Sequence, residues 1–322
     1  MLPSRDSLII GFAHPAYQMK SCFDALGTGI TCFQVGSKQE LADRAHEADV
    51  ISVSGLWDNE LLQRAGKLRF IQSISAGTNQ YDREAIAARG IRLASAQGAN
   101  ARAVSQHAMA LVLAIARRLP EAHDNQVRKL WRPMQGDFAL REDELTDKTM
   151  LIVGLGTIGG RLASLAKAFD MKVVGTRRDP AAGANGADSV HGMGDLGGLL
   201  PEADYVVLTC PLTSETQDLI GRAELERMKP TAHLVNVARG GCVVEADLIE
   251  ALQSGRIGGA ALDTVVDEPL PASSPLWTLP NVVITSHLAG ETRRYEENVL
   301  AILMDNLDRL WRGETTLRNQ IV

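Results

Sequence analysis

Two sets of residues in this 322-residue chain have types and spacing that could do chemistry. The first is the stretch "LIVGLGTIGGRLASLAKAF", in which Gly154, Gly156 and Gly159 form G-x-G-x-x-G. An apolar, strand-like run enters this turn and a helical pattern leaves it, which is the context that makes the motif informative. Gly154 permits the tight turn, Gly156 lets the backbone approach a pyrophosphate, and Gly159 lets the helix pack against the strand. The helix N-terminus at Thr157, Ile158 and Gly159 then offers N–H groups and a positive dipole end to the phosphate. The second set is Arg239 in "LVNVARGG", Glu268 in "ALDTVVDEPLP" and His287 in "VVITSHLAG", each just past an apolar run. In a doubly wound sheet the carboxyl ends of strands face the ligand crevice, so all three are expected to face a bound dinucleotide.

The type of dinucleotide is addressed by "MKVVGTRRDP" (171–180). A site for NAD places an acid near the end of this second strand, about 20 residues after the first glycine, to accept hydrogen bonds from the ribose hydroxyls. Arg177 stands 23 residues after Gly154, with Arg178 beside it. A carboxylate there would repel a 2′-phosphate, whereas a guanidinium suits bidentate contact with one. The pair therefore points to NADP(H) as the preferred cofactor. NAD(H) stays open, because Asp179 is close enough to recover ribose contacts.

These residues require a scaffold, and the hydrophobic pattern supplies one. Segments 7–13, 30–35, 49–54 and 68–75 read as strands, with helices at 37–48 and 59–66. A second series opens at 149 and continues with strands at 171–175, 204–209, 233–237, 258–262 and 281–286. Alternation of this kind implies two α/β units with parallel, doubly wound sheets. Residues 100–119 read as one long helix closed by Pro120, followed by a polar surface segment to about 147 that carries Trp131. Residues 293–313 read as an amphipathic helix, and 181–188 as a loop.

Composition fits that scaffold. The chain is 45% hydrophobic and 22% charged, which suits a globular protein with a substantial core. Its net charge of −6 counts against nucleic acid as the main partner. Cys22, Cys32, Cys210 and Cys242 make no CxxC pair and no metal-ligand spacing; three of them are expected as reduced core residues. No apolar run is long enough to span a bilayer, and "MLPSRDSLIIGFA" lacks a signal pattern, so the cytoplasm is the expected location.

With these stretches in view, the chain resembles the D-isomer-specific 2-hydroxyacid dehydrogenases over essentially its full length. The matching segments, in order, are "SAGTNQYD" (75–82), "GLGTIGG" (154–160), "CPLTSETQDLI" (210–220), "NVARGG" (236–241), "LDTVVDEPLP" (262–271) and "SHLAG" (286–290). The resemblance implies a Rossmann-type cofactor domain at 99–290 and a flavodoxin-like substrate domain at 1–98 plus 291–322, with the active site in the cleft between them. It also implies a homodimer through the 100–147 region.

The family's catalytic Arg, Glu and His map onto Arg239, Glu268 and His287. The reaction is hydride transfer between a nicotinamide and a small 2-oxo acid, giving the D-2-hydroxy acid. An imidazolium protonates the developing alkoxide, and an adjacent carboxylate orients the ring. A guanidinium binds the substrate carboxylate and polarises the carbonyl. By the same resemblance Ala76 and Gly77 offer N–H groups to the substrate carboxylate. Cys210 and Pro211 line the adenosine side, Val237 and Gly290 contact the cofactor, and Asp263 lies near the carboxamide. Glu268 sets the chain apart from the formate dehydrogenases of this superfamily, which carry Gln there. Two departures stand out: Gln106 in "VSQHA", where many members have Glu, and Arg177 in place of the acid.

The leading expectation is an NADPH-preferring reductase with glyoxylate or hydroxypyruvate as substrate. Side chains such as Ser54, Leu56, Trp57 and those around Trp131 are candidates for setting specificity. The alternatives are an NAD-linked dehydrogenase of another D-2-hydroxy acid and a cofactor-sensing scaffold, for which no recognition segment is evident. A phosphoglycerate dehydrogenase with a regulatory domain is disfavoured because the chain ends soon after its last helix.

Overall fold

The computed structural model describes residues 2–322, which form two compact units. One unit runs to Asn100 and takes up again over Thr292–Val322; the other is Ala101–Glu291. The first holds β1 (Ile9–Ala13), β2 (Thr31–Val35), β3 (Val50–Val53), β4 (Phe70–Ser73) and β5 (Arg92–Ala94). All pair in parallel in the order β2-β1-β3-β4-β5. The helices α1 (Met19–Asp24), α2 (Lys38–Arg44), α3 (Leu61–Arg64) and α4 (Arg83–Ala88) connect them. Ser37 and Asp82 start α2 and α4 by accepting the N–H groups of Glu40 and Ala85, which otherwise have no intrahelical partner.

The second unit opens with α5 (Ala101–Ala116) and α6 (Leu119–Val127). The single helix expected over 100–119 is therefore two. Arg118 adopts left-handed backbone (φ 50°) and breaks the run. Pro120 lies in the first turn of α6, where its missing N–H costs nothing, so it helps to open a helix instead of closing one. Then come β6 (Thr149–Val153), α7 (Thr157–Lys167), β7 (Lys172–Thr176), β8 (Ser189–His191), α8 (Leu196–Leu199), β9 (Tyr205–Leu208), α9 (Arg222–Arg227), β10 (His233–Asn236), α10 (Glu245–Gln253), β11 (Gly259–Leu262) and β12 (Val282–Ile284). The sheet is all parallel, in the order β12-β11-β10-β9-β6-β7-β8. β6 and β9 are buried along nearly their whole length, which is why they read as continuous apolar runs without alternation. The chain order reverses between β6 and β9, and α7 leaves β6 at that switch point, where open α/β sheets bind their ligands.

The chain then returns to the first unit as α11 (Tyr295–Trp311). Its apolar face (Val299, Leu300, Ile302, Leu303 and Leu307) packs with Phe12, Phe23 and Phe70. Asn306 is fully buried on this face; it donates to Gln72 Oε1 (3.0 Å) and accepts from the Arg318 N–H (2.7 Å), so its burial leaves no amide unpaired. The final residues pair with β5, through Ile321 N to Leu93 O (2.8 Å), and cover that sheet edge.

Several short elements escape a periodicity reading: α1, α4, β5 and β8 each span six residues or fewer. The cysteine expectation also needs correction. Cys210 and Cys242 are buried, but Cys32, on the edge strand β2, is only half-buried, as is Cys22 on helix α1. Among the described residues no helix is long and apolar enough to cross a membrane.

Candidate active site

The glycine turn is built as the motif demands. Gly154 has φ +103°, and a Cβ there would lie 2.6 Å from the backbone N and Cα of Cys210. A Cβ on Gly159 would lie 2.6 Å from the Gly154 carbonyl oxygen. Gly156 differs: its backbone is not left-handed, and a Cβ would meet nothing within 4 Å. The first two glycines are required by the fold itself. Nothing in the protein requires the third, which keeps its backbone bare toward open space at the N-terminus of α7. Thr157 is exposed and Ile158 half-buried at that helix start. A bare backbone at the positive end of an eleven-residue helix fits a pyrophosphate.

The two arginines after β7 are engaged differently. Arg177 is half-buried, and its guanidinium donates to the carbonyls of Gly183 (2.8 Å) and Ala182 (3.2 Å), tying down the adjoining loop. Arg178 is exposed, and its Nε lies 3.8 Å from Glu215 Oε2, a separation at which exposed ions attract weakly. Asp179 accepts the Ala181 N–H (3.0 Å) and is occupied in that local turn. Asn185, in the same loop, donates to the Gly156 carbonyl (2.8 Å), so the loop after β7 rests on the glycine turn.

Cys210 is buried against Gly154 at the end of β9, and Pro211 beside it is exposed. Its hydrogen-bonding neighbour Cys242 and burial push the Cys210 thiol well above the usual range, which leaves it a packing group and no nucleophile. Val237 follows β10 and is buried, while Gly290 ends the turn after β12.

Arg239, Glu268 and His287 follow β10, β11 and β12, three neighbouring strands at one edge of the sheet. Asn236, buried at the end of β10, braces the first turn. Its side chain accepts the Ala238 N–H and donates to the Arg239 carbonyl, both at 3.0 Å. The Arg239 side chain is exposed and donates to the Ala238 carbonyl (2.7 Å), leaving most of its fork for a ligand. Gly240 packs under the next loop so closely that a Cβ would lie 1.9 Å from the Val265 carbonyl oxygen. The Arg239 turn and the Glu268 loop are thereby packed together.

Glu268 Oε1 accepts the Val265 N–H (3.3 Å), and Oε2 lies 2.7 Å from His287 Nδ1. A carboxylate oxygen accepts, so Nδ1 donates, and Nε2 is the ring nitrogen available to exchange a proton with a ligand. His287 has φ +53°, a conformation uncommon outside glycine. Asp263, 2% exposed, holds it there. Its carbonyl accepts the His287 N–H (2.8 Å), and its carboxylate accepts the N–H groups of Leu288 (2.8 Å) and Ala289 (3.0 Å) and the Thr285 hydroxyl (2.5 Å).

Ala76 and Gly77 belong to the other unit, exposed in the turn after β4. The Ser75 hydroxyl donates to the Gly77 carbonyl (2.9 Å) and lies 2.6 Å from the Ser54 hydroxyl, which accepts from Gln80 (3.1 Å). Trp57 packs in the core of this unit near Tyr81 (ring centroids 5.4 Å apart) and is almost fully buried. Asn236, Asn185, Thr285 and His107 all support the site and were not identified from the sequence. Of these, His107 in "VSQHA" carries a usable signal, as a histidine on the apolar face of α5.

The comparisons with known proteins agree with this architecture. Residues 109–289 match the family model described as "D-isomer specific 2-hydroxyacid dehydrogenase, NAD binding domain". The chain is 37% identical over 282 residues to glyoxylate/hydroxypyruvate reductase B of Yersinia enterocolitica, covering 87% of this chain and 86% of that one. It is 35% identical over 293 residues to D-3-phosphoglycerate dehydrogenase of Methanocaldococcus jannaschii, covering 90% of this chain and 53% of the relative, about half that protein's length. Among solved structures, a D-isomer specific 2-hydroxyacid dehydrogenase family protein from Aeromonas salmonicida superposes with a TM-score of 0.84 at 28% identity, covering 98% of this chain and 99% of that one. A family match over more than half the chain, on a fold and strand order of this kind, leaves one conclusion: the chain belongs to the D-isomer specific 2-hydroxyacid dehydrogenase family and is an oxidoreductase that uses a nicotinamide cofactor.

Proposed function

We propose that this protein reduces a small 2-oxo acid, with glyoxylate and hydroxypyruvate as first candidates, to the 2-hydroxy acid, of D configuration wherever the product is chiral, preferring NADPH to NADH. The observation that carries the reading is the 2.7 Å pair of His287 Nδ1 and Glu268 Oε2 on a left-handed turn. Strained backbone held by several hydrogen bonds at one site supports a functional role for the group it presents. The name of the Yersinia relative supports the substrate class.

In this reading Gly154, Gly156, Thr157, Ile158 and Gly159 hold the cofactor pyrophosphate, and Arg177 and Arg178 meet the 2′-phosphate. Cys210, Pro211, Val237, Asp263 and Gly290 complete the cofactor contacts. The nicotinamide, when bound, supplies the hydride to the carbonyl carbon. Arg239 pairs with the substrate carboxylate and draws charge toward the carbonyl oxygen. The backbone N–H groups of Ala76 and Gly77 serve the same carboxylate. His287 Nε2 gives its proton to the oxygen as the C–H bond forms, and Glu268 keeps the ring aimed. Ala101–Glu291 is then the dinucleotide-binding unit, and the unit containing Ala76 binds substrate.

The protein acts in the cytoplasm as a homodimer in this proposal. The segment after α6 supports the second part: Trp131 and Met134 are 95% and 100% exposed, and Phe138 is also exposed beside a recess of about 640 Å³. Apolar groups so placed on a polar arm mark an interaction surface.

The test is kcat/KM for NADPH and NADH with glyoxylate, hydroxypyruvate, pyruvate and a branched 2-oxo acid, with chiral analysis of every product except glycolate, which is achiral. Turnover with NADPH favoured, giving the D-acid from hydroxypyruvate, pyruvate or the branched 2-oxo acid, supports the reading. Cofactor binding without turnover of any 2-oxo acid overturns it. Sedimentation of the wild type and Trp131→Glu, with monomer expected for the variant, checks the dimer.

A further inference from the structure

His107, on α5, lies at the back of the His287 turn. Its Nε2 is 2.9 Å from the Thr285 hydroxyl oxygen and 3.5 Å from Asp263 Oδ1. The direction of each hydrogen bond comes from counting protons. Thr285 has one hydroxyl proton, and it goes to Asp263 Oδ1, which as a carboxylate oxygen can only accept at 2.5 Å. The Thr285 oxygen must then accept from His107, so Nε2 of His107 carries a hydrogen. The chain of donors runs one way, from His107 through Thr285 to Asp263.

That direction matters because Asp263 spends its polar atoms on the segment presenting His287. Its carbonyl takes the His287 N–H, and its carboxylate takes those of Leu288 and Ala289. Without His107 the Thr285 oxygen loses its donor. The hydroxyl is then free to turn away from Oδ1, and the carboxylate is released on its α5 side. His107 is too far along this chain to touch reacting atoms and makes no hydrogen bond to His287 itself.

We propose that His107 is a positioning residue for the reaction: through Thr285 it fixes Asp263, and Asp263 fixes the left-handed turn that aims His287 at Glu268. This rests on the assignment of His287 as the proton donor. Displacement of an acid by about 1 Å costs on the order of a hundredfold in rate, so His107→Ala is expected to lower kcat about ten- to a hundredfold with KM for the 2-oxo acid little changed. His107→Gln, whose amide supplies an N–H at similar reach, is expected to recover most of the loss.

A second measurement needs no activity. In ring-labelled free protein, long-range ¹H–¹⁵N spectra should show His107 with its hydrogen on Nε2. The His287 ring nitrogens, which report the bond to Glu268, should shift in His107→Ala and in Thr285→Val and return in His107→Gln. If the wild type reduces no 2-oxo acid, the functional assignment fails and the ring spectra alone decide this proposal. A His107 ring with no hydrogen on Nε2, His287 signals unmoved in His107→Ala, or a glutamine variant no better than alanine would each overturn it. A parallel fall in thermal midpoint and kcat with unmoved His287 signals would mean that His107 serves folding alone.

Discussion

Glu268 Oε2 and His287 Nδ1 meet at 2.7 Å although the two residues are 19 apart in the chain and come after different strands. One carboxylate oxygen orients the ring while the other is anchored on the Val265 N–H. Removing the ring without disturbing the turn separates chemistry from folding. Asparagine tolerates left-handed backbone, so His287→Asn is expected to keep the thermal midpoint while kcat falls by two to four orders of magnitude. Glu268→Gln keeps a hydrogen-bonding partner for the ring and should lose less, about tenfold or more in kcat. Equal losses in the two variants would assign the residues a joint structural role.

The three motif glycines should respond differently to alanine. Gly154→Ala and Gly159→Ala put a Cβ 2.6 Å from backbone atoms and should lower the thermal midpoint or prevent folding. Gly156→Ala meets open space. It should fold like the wild type yet bind NADPH at least tenfold more weakly, because the methyl occupies the pyrophosphate's approach. Tryptophan fluorescence titration with NADPH beside a thermal melt decides it. Unchanged binding in Gly156→Ala would make the turn a structural feature alone.

Cofactor preference should depend on Arg178 as much as on Arg177. Arg177 already spends a donor nitrogen on the carbonyls of Ala182 and Gly183, while Arg178 is the more exposed of the two. Arg178→Ser is expected to cut the NADPH-to-NADH ratio of kcat/KM by about tenfold or more, since one charge-assisted pair contributes about 1.5–3 kcal/mol. Arg177→Asp should cut it further and also loosen the 182–187 loop. A ratio unchanged in both variants would make the pair bystanders.

Stability should fall on mild acidification because of His233. Its ring is stacked on Tyr205 (centroids 5.8 Å apart), and burial lowers its pKa from 6.5 to about 4. Between those values the unfolded chain binds a proton that the native state refuses. Stability is therefore fully present above pH 6.5 and is lost as pH falls toward 4, by at most about 3 kcal/mol. Urea melts across this range should show the slope, and His233→Gln should flatten it. An unchanged slope in the variant would place the titration elsewhere.

The glycine turn, the arginines after β7 and the positions of Arg239, Glu268 and His287 at strand ends were all legible in the chain. Each depends on local rules: which residues allow a tight turn, how long a buried strand runs, and which residue types stand at its carboxyl end. The break at Arg118 was missed because the apolar pattern runs on and a single left-handed residue leaves no periodic trace. The half-burial of Cys32 and the burial of Trp57 do not show in the chain for a related reason, since residue type gives an average and the packing decides the case.

The sequence by itself determined two parallel α/β units, a glycine-rich turn between a strand and a helix, and three ionisable groups at strand ends. Only the tertiary structure decided how those groups are held: Gly240 under Val265, Asp263 behind His287, and His107 reaching Thr285 from 178 residues away. The physical reason is range. Turn and strand preferences act over a few residues, whereas a hydrogen bond needs its atoms near 3 Å, and packing alone brings distant segments that close.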